Sequence, residues 1–239
     1  VSDAQLTIPE IVGGSLVNLT IAGLARLSVC DWPGQLVATV FLQGCPWRCR
    51  YCHNPALMAF GAAGVVQWHE VWAHLLSRRG LLDAVVFSGG EPTAQDGLAA
   101  AADRVRELGY QVGLHTGGAY PKRLASLLPR LDWVGLDIKG LPAEYPAITG
   151  VVTAGDWAWA SLRSVLAAGV ACEVRTTVDP RFHTAAGLAG LIDILQAEGV
   201  SQLVLQEVRL PSGTSAGPSA AQLLDELGTL PAGVSRRAG

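Results

Sequence analysis

The feature that most constrains the fold of this chain is a strand–helix alternation running from residue 36 to residue 208. Leu36–Leu42, Ala84–Phe87, Val112–His115, Trp133–Ile138, Cys172–Val178 and Gln202–Val208 are short apolar runs rich in β-branched and aromatic residues, the pattern of buried strands. The stretches between them read as helices. These are Trp68–Arg79 (with Trp72, Leu75 and Leu76 at helical spacing), Ala94–Leu108, Pro121–Leu128, Trp157–Ala168 and Thr184–Glu198, with Gly109, Gly169 and Gly199 as stops. Strands joined by helical crossovers pair in parallel. Repeated in one hand, such units curl the sheet into a full or partial barrel. The expectation is an α/β fold, a partial (β/α)6 barrel.

Both ends read as additions to a domain spanning residues 15–210. Residues 1–14 are expected to be loose, and Leu16–Gly34 alternates enough for a short N-terminal hairpin before the first strand. Residues 211–239 read as a linker and tail that carries one helix, Ala220–Leu227, and frays at Arg236-Arg237. No apolar run approaches the ~18 residues that span a bilayer. No basic stretch followed by an apolar block opens the chain, so neither a membrane nor a signal peptide is expected. The net charge of −3 and the lack of a basic stripe argue against nucleic acid as partner. A cytoplasmic location is the resulting expectation.

In such a fold, functional groups collect where strands end. The loop Gly44–Pro55, the segment Gly89-Gly90-Glu91-Pro92, His115-Thr116, Asp137 with Lys139, and Arg175 all fall there, which points to one shared site. Of five cysteines, Cys45, Cys49 and Cys52 lie within eight residues, a poor start for disulfides and a common pattern for metal or redox chemistry. Zinc takes four ligands, usually as two separated pairs, and no second pair exists. Three thiolates on one loop suit a cubane cluster, each anchoring one iron and leaving the fourth open. A structural zinc loop is the competing reading. Cys30 and Cys172 are too scattered for a second cluster and are expected to be buried, inert thiols.

Cys45-Pro46-Trp47-Arg48-Cys49-Arg50-Tyr51-Cys52, with an aromatic residue before its last cysteine, resembles the hallmark of the radical S-adenosylmethionine (SAM) superfamily, and Gly89-Gly90-Glu91-Pro92 resembles its second hallmark. The resemblance implies a radical SAM barrel and a [4Fe–4S] cluster on Cys45, Cys49 and Cys52. It also implies that SAM chelates the open iron while the Gly-Gly-Glu-Pro segment holds its amino group. An acceptor such as Glu91 suits an amine, and glycines admit close approach. Asp31-Trp32-Pro33-Gly34, Gln43-Gly44-Cys45-Pro46 and Cys52-His53-Asn54-Pro55 narrow the likeness to the glycyl-radical-enzyme activating enzymes. It extends from about Leu24 to Leu210, through Ala147-Ile148-Thr149-Gly150 and Arg175-Thr176-Thr177-Val178.

By that resemblance, a low-potential donor such as flavodoxin or ferredoxin supplies one electron. SAM is cleaved to methionine and a 5′-deoxyadenosyl radical, which takes hydrogen from a glycine of a partner enzyme. The implied partner is a glycyl-radical enzyme, with anaerobic ribonucleoside-triphosphate reductase favoured. Tyr51, Thr116, Asp137, Lys139 and Arg175 would join the cofactor site, with Lys139 near the SAM carboxylate. Relatives often carry Asp-Thr-Asn-Gly where this chain has His115-Thr116-Gly117-Gly118, so His115 either meets the cofactor differently or packs.

Plainer readings stand beside these. Asp137 and Lys139, two apart on a strand, would look the same as a structural ion pair. Arg175 is open to the same reading, and His53 equally caps a turn. His69, His74 and His183 read as surface residues, and Trp47, Trp157 and Trp159 as core or rim packing. Two other functions compete: a radical SAM enzyme for a small molecule such as a nucleobase precursor, and a non-catalytic module that keeps a metal loop. The chain shows no glycyl-radical sequence of its own, so an acceptor glycine would lie on another protein.

Overall fold

The computed structural model describes residues 17–208 and 219–238. The loose segment expected at 1–14 and most of the expected linker lie outside the described residues. Eight strands form one sheet in chain order: β1 Ile21–Ser28, β2 Val37–Leu42, β3 Ala84–Gly89, β4 Gln111–Thr116, β5 Trp133–Asp137, β6 Ala171–Val178, β7 Leu203–Glu207 and β8 Val234–Arg237. From β2 to β8 every pairing is parallel, and β1 alone runs antiparallel, against β2. All six strands expected from the apolar runs are present.

Seven helices accompany them: α1 Trp68–Ser77, α2 Leu98–Glu107, α3 Pro121–Leu127, α4 Tyr145–Thr149, α5 Ala154–Ala168, α6 Ala185–Ala197 and α7 Ala220–Glu226. The fold is the expected α/β partial barrel, with two differences at its ends. The N-terminal hairpin does not precede the first parallel strand but is made with it, through β1 and β2. The chain after residue 218 does not fray: α7 and β8 extend the sheet beyond β7. None of the described helices is long and apolar enough to cross a membrane.

The parallel register sorts side chains onto two faces. Ala38, Val40, Leu42, Val85, Phe87, Val112, Leu114, Val134, Leu136 and Val174 join the buried faces of the helices in the main core. The opposite face carries Val37, Ala84, Val86 and Trp133, plugged by Trp32, whose ring stacks on Trp133 at 5.2 Å. These residues sit toward the starts of their strands. Toward the strand ends the same face turns polar, with Ser88, His115, Asp137, Arg175 and Gln206. The apolar plug thus closes one end of the barrel and leaves its polar mouth as the place for chemistry.

Candidate active site

The cysteine loop leaves β2 and is pinned on three sides by backbone hydrogen bonds. Gly44 and Cys45 donate to the carbonyls of Leu57 and Met58 at 2.8 and 3.2 Å, Arg48 and Arg50 to those of Thr149 and Ile148 at 2.9 and 3.0 Å, and Glu91 to that of Gly44 at 2.8 Å. The Gln43 amide holds the returning chain through the carbonyls of Ala56 and Ala59. Such anchoring fixes a loop that has no regular structure of its own.

The three cysteines line one cavity of about 350 Å³, together with Tyr51, Gly89, Gly90, Glu91, Asp137 and Lys139. Among the described residues, no three His, Cys, Asp or Glu side chains converge on a single ion position. Three thiols that share a cavity without converging match a cluster, in which each sulfur takes a different iron, better than one tetrahedral zinc. Burial pushes the Cys45 thiol up to about 12. It raises Cys49 as well, against the opposing charge of Lys139, so both await a cation to become thiolates.

Lys139 is buried beside these cysteines, its Nζ 5.9 Å from the Trp47 ring centroid and 5.7 Å from that of Tyr51. It lies 3.3 Å from Asp137 Oδ2, and Arg175 Nε lies 3.3 Å from Asp137 Oδ1. Burial would depress the Lys139 ammonium, but the Asp137 carboxylate beside it outweighs burial and holds the group charged. Burial would likewise raise the Asp137 carboxyl, but Lys139 and Arg175 keep it below its ordinary value. Trp47 Nε1 and Tyr51 Oη are buried without a hydrogen-bond partner among the described residues.

Glu91 is buried and heavily engaged. Its Oε1 accepts from Thr93 N, Thr93 Oγ1 and Thr116 Oγ1 at 3.1, 2.6 and 2.6 Å, and its Oε2 from Gly117 N at 2.9 Å. Burial still raises its carboxyl above the ordinary value. Its main work is to tie the loop after β3 to the loop after β4, and only Oε2 keeps an acceptor position for anything in the cavity. The two glycines before it have a structural reason too. Gly89 has φ +117, and a Cβ there would come within 2.3 Å of the Leu42 backbone nitrogen; one on Gly90 would come within 2.4 Å of the Gly44 oxygen. They let this loop lie against the cysteine loop. Pro92 is buried at the start of a short 3-10 turn and lines neither this cavity nor the next.

Thr116 and Arg175 line an adjoining cavity of about 210 Å³ with His115. His115 Nε2 lies 2.6 Å from the Asp31 carbonyl and Nδ1 lies 3.2 Å from Ser88 Oγ, so both ring nitrogens are engaged by protein. Gln206, which no motif marks, and Thr177, within the Arg175-Thr176-Thr177-Val178 segment but given no role there, line both cavities. Their position at strand ends was the signal for them.

Three expectations fail. His74 is buried, with Nε2 2.9 Å from the Arg26 carbonyl. His183 is buried too, and bridges the Lys139 carbonyl (2.9 Å) and the Asp179 N–H (3.0 Å), which makes it part of the support of Lys139. Cys30 is exposed rather than buried, while Cys172 is half-buried. Trp47 and Trp159 pack in the core as read, and Trp157 lies at the rim.

The family description of the radical SAM superfamily matches residues 39–183. Over 122 residues, covering 50% of each chain, the sequence is 34% identical to a Methanocaldococcus jannaschii protein assigned as a glycyl-radical enzyme activating enzyme. It is 32% identical over 136 residues to the pyruvate formate-lyase-activating enzyme of Clostridium pasteurianum, covering 54% of this chain and 57% of that one. The matches thus span about half the length of these relatives. Among solved structures, Streptococcus suis SuiB bound to S-adenosylmethionine aligns with a TM-score of 0.62 at 14% identity, over 82% of this chain and 48% of that one. That likeness is one of fold.

Proposed function

This chain belongs to the radical SAM superfamily, and we propose that it is an activase that generates a glycyl radical on a partner enzyme. The superfamily works with a [4Fe–4S] cluster and SAM. The observation that carries the reading is the single cavity shared by Cys45, Cys49 and Cys52, the Gly89–Glu91 loop and a buried, charged Lys139. The two curated relatives named as activating enzymes supply the partner class.

The donor set fits both groups. Three thiols anchor a cluster and leave one iron free for SAM, and the chemistry supplied when both are bound is one-electron cleavage of SAM and abstraction of a hydrogen atom. In this reading the chain's own residues do four things. The cysteines hold the cluster on a loop clamped by its backbone. Glu91 Oε2, with the Gly89–Gly90 backbone, receives the SAM amine, and Thr116 keeps Glu91 in place. Lys139, held by Asp137 and packed between Trp47 and Tyr51, offers a cation to the cysteine cavity, where it meets a carboxylate. Trp47 and Tyr51 exclude water around it.

The favoured partner is anaerobic ribonucleoside-triphosphate reductase, supported by the residues at 31–34 and 52–55, with a low-potential flavodoxin or ferredoxin as donor. A cytoplasmic location belongs to the same proposal, since reduced, unbridged thiols suit a reducing compartment.

The test is anaerobic. The protein is loaded with iron and sulfide, reduced with dithionite and given SAM, and 5′-deoxyadenosine is assayed. The candidate reductase is then added and its glycyl radical sought by electron paramagnetic resonance. Product and radical together support the activase. Product without a radical on any glycyl-radical enzyme turns the reading toward a small-molecule substrate, and no product from a loaded cluster rejects it.

A further inference from the structure

We propose that the smaller cavity receives bare peptide backbone, and that Arg175 is the positioning residue that holds a backbone carbonyl in it. This inference rests on the glycyl-radical reading above.

The cavity of about 210 Å³ adjoins the cysteine cavity and shares with it Gly89, Gly90 and Gly117, which bring no side chain, and the polar Asp137, Thr177 and Gln206. Among the described residues, no apolar side chain lines it and the only ring is that of His115, which is engaged at both nitrogens and sits edge-on against Trp133 at 5.5 Å. A nucleobase or other flat apolar ligand finds no surface to stack on. A polypeptide segment at a glycine fits this lining, because it needs hydrogen-bond partners and no side-chain pocket.

Arg175 supplies the donors. Its guanidinium lies over Gly135, where a Cβ would come within 2.7 Å of Nη2, and Nη2 donates to the Gly135 carbonyl at 3.2 Å. Nε, 3.3 Å from Asp137 Oδ1, forms an ion pair but no hydrogen bond, and is buried without an acceptor. Nη1 lies 3.4 Å from His115 Nε2. That nitrogen donates its own proton to the Asp31 carbonyl at 2.6 Å, so it has no lone pair to offer. Arg175 lines the cavity, and its Nη1 hydrogens have no good acceptor among the described residues, a costly arrangement that an arriving acceptor relieves. Gln206 lines the cavity as a partner for the amide N–H.

The test uses the cluster-loaded protein, SAM, dithionite and millimolar acetyl-Gly-Gly-Gly-amide deuterated at the central Cα. The deuterium atom passes from that Cα to the 5′ carbon of the adenosyl fragment, and its fraction in 5′-deoxyadenosine is read by mass spectrometry. The expected result is deuterated product from the wild type. Arg175→Gln, with its SAM dissociation constant measured alongside, should lower the deuterium fraction of the 5′-deoxyadenosine it forms at least about tenfold, as the loss of a charged hydrogen bond implies. Should Arg175→Gln fail to load its cluster, Arg175→Lys, which keeps the charge without the planar fork, is measured the same way and is expected to transfer poorly.

Equal transfer in wild type and variant overturns the role of Arg175 while leaving the activase reading standing. Loss of SAM binding in the variant overturns it as well, by moving Arg175 into the cofactor site. Undeuterated product from the wild type, with no radical formed on any partner, removes the activase reading and this inference with it.

Discussion

His115 is half-buried, held between the Asp31 carbonyl, Ser88 and Arg175. Burial first, and the Arg175 charge second, hold its pKa down at about 3, against 6.5 for a free imidazole. The folded chain therefore keeps it neutral, while the unfolded chain takes up a proton as pH falls below 6.5. Its contribution to stability is complete above that value and is lost as pH drops toward 3. At pH 5 the loss amounts to about 2 kcal/mol, one and a half pH units at the unfolded pKa. Urea unfolding of the apoprotein at pH 7.5 and pH 5.0 should show this difference in the wild type and a smaller one in His115→Gln; equal slopes would mean that the folded ring is solvated. The cysteines make a sharper contrast. Cys45→Ala, Cys49→Ala and Cys52→Ala should each lose bound iron and 5′-deoxyadenosine formation. Cys30→Ala, at an exposed site, and Cys172→Ala, on the helix-packed side of β6, should keep full iron content. Iron loss in either of the last two would bring a distant thiol into the site.

Helix α4 shows how a short element serves the site. Its five residues end at Gly150, which takes the left-handed conformation at φ +74, and Thr149 Oγ1 bonds the Tyr145 carbonyl at 2.7 Å and the Val151 N–H at 3.2 Å. The helix stops there, and the Ile148 and Thr149 carbonyls turn to the N–H groups of Arg50 and Arg48. Gly150→Ala or Thr149→Val should cost about 1 kcal/mol in stability and speed the release of iron to a chelator under anaerobic conditions. A lowered melting temperature with unchanged iron release would show that the clamp does not hold the loop. Six of the seven parallel strands, β2 to β7, were legible because each carries apolar residues at the positions buried on the helix side, even where polar residues alternate with them as Glu173 and Arg175 do in β6. α4 was not, since five residues with Pro146 inside carry no periodicity. His74 lies in helix α1 and His183 in a loop, where a polar ring reads as surface, and only the tertiary meeting with the carbonyls of Arg26 and Lys139 makes them internal. The cysteine spacing and the Gly-Gly-Glu-Pro segment were readable as a site, but the saturation of Glu91 was not, because Thr93, Thr116 and Gly117 reach it from a neighbouring turn and a different loop.

At the scale of the whole molecule, the sheet is open between β1 and β8, and the stability of the barrel depends on how those edges are finished. β8 is a half-exposed Val-Ser-Arg-Arg, too polar to read as a strand, yet it pairs with β7 along four residues. Its Arg237 donates through both Nη1 and Nη2 to the two oxygens of Glu173 at 3.1 and 2.9 Å. Glu173 is buried, whereas the Arg237 side chain stays 37% exposed, so solvent weakens the pair relative to a fully buried one. Arg237→Ala removes the partner of a buried carboxylate and should destabilise by about 1–2 kcal/mol, the lower part of the range for stranding a charged group. Glu173→Leu with Arg237→Leu removes both charges and should come close to the wild type, because no group is then left unpaired. A double-mutant cycle in urea separates the two effects. If Arg237→Ala is neutral, the edge strand is held by its backbone ladder alone. A double variant as unstable as the single one would mean that the pair is needed for the register of β8 and not merely for the comfort of Glu173.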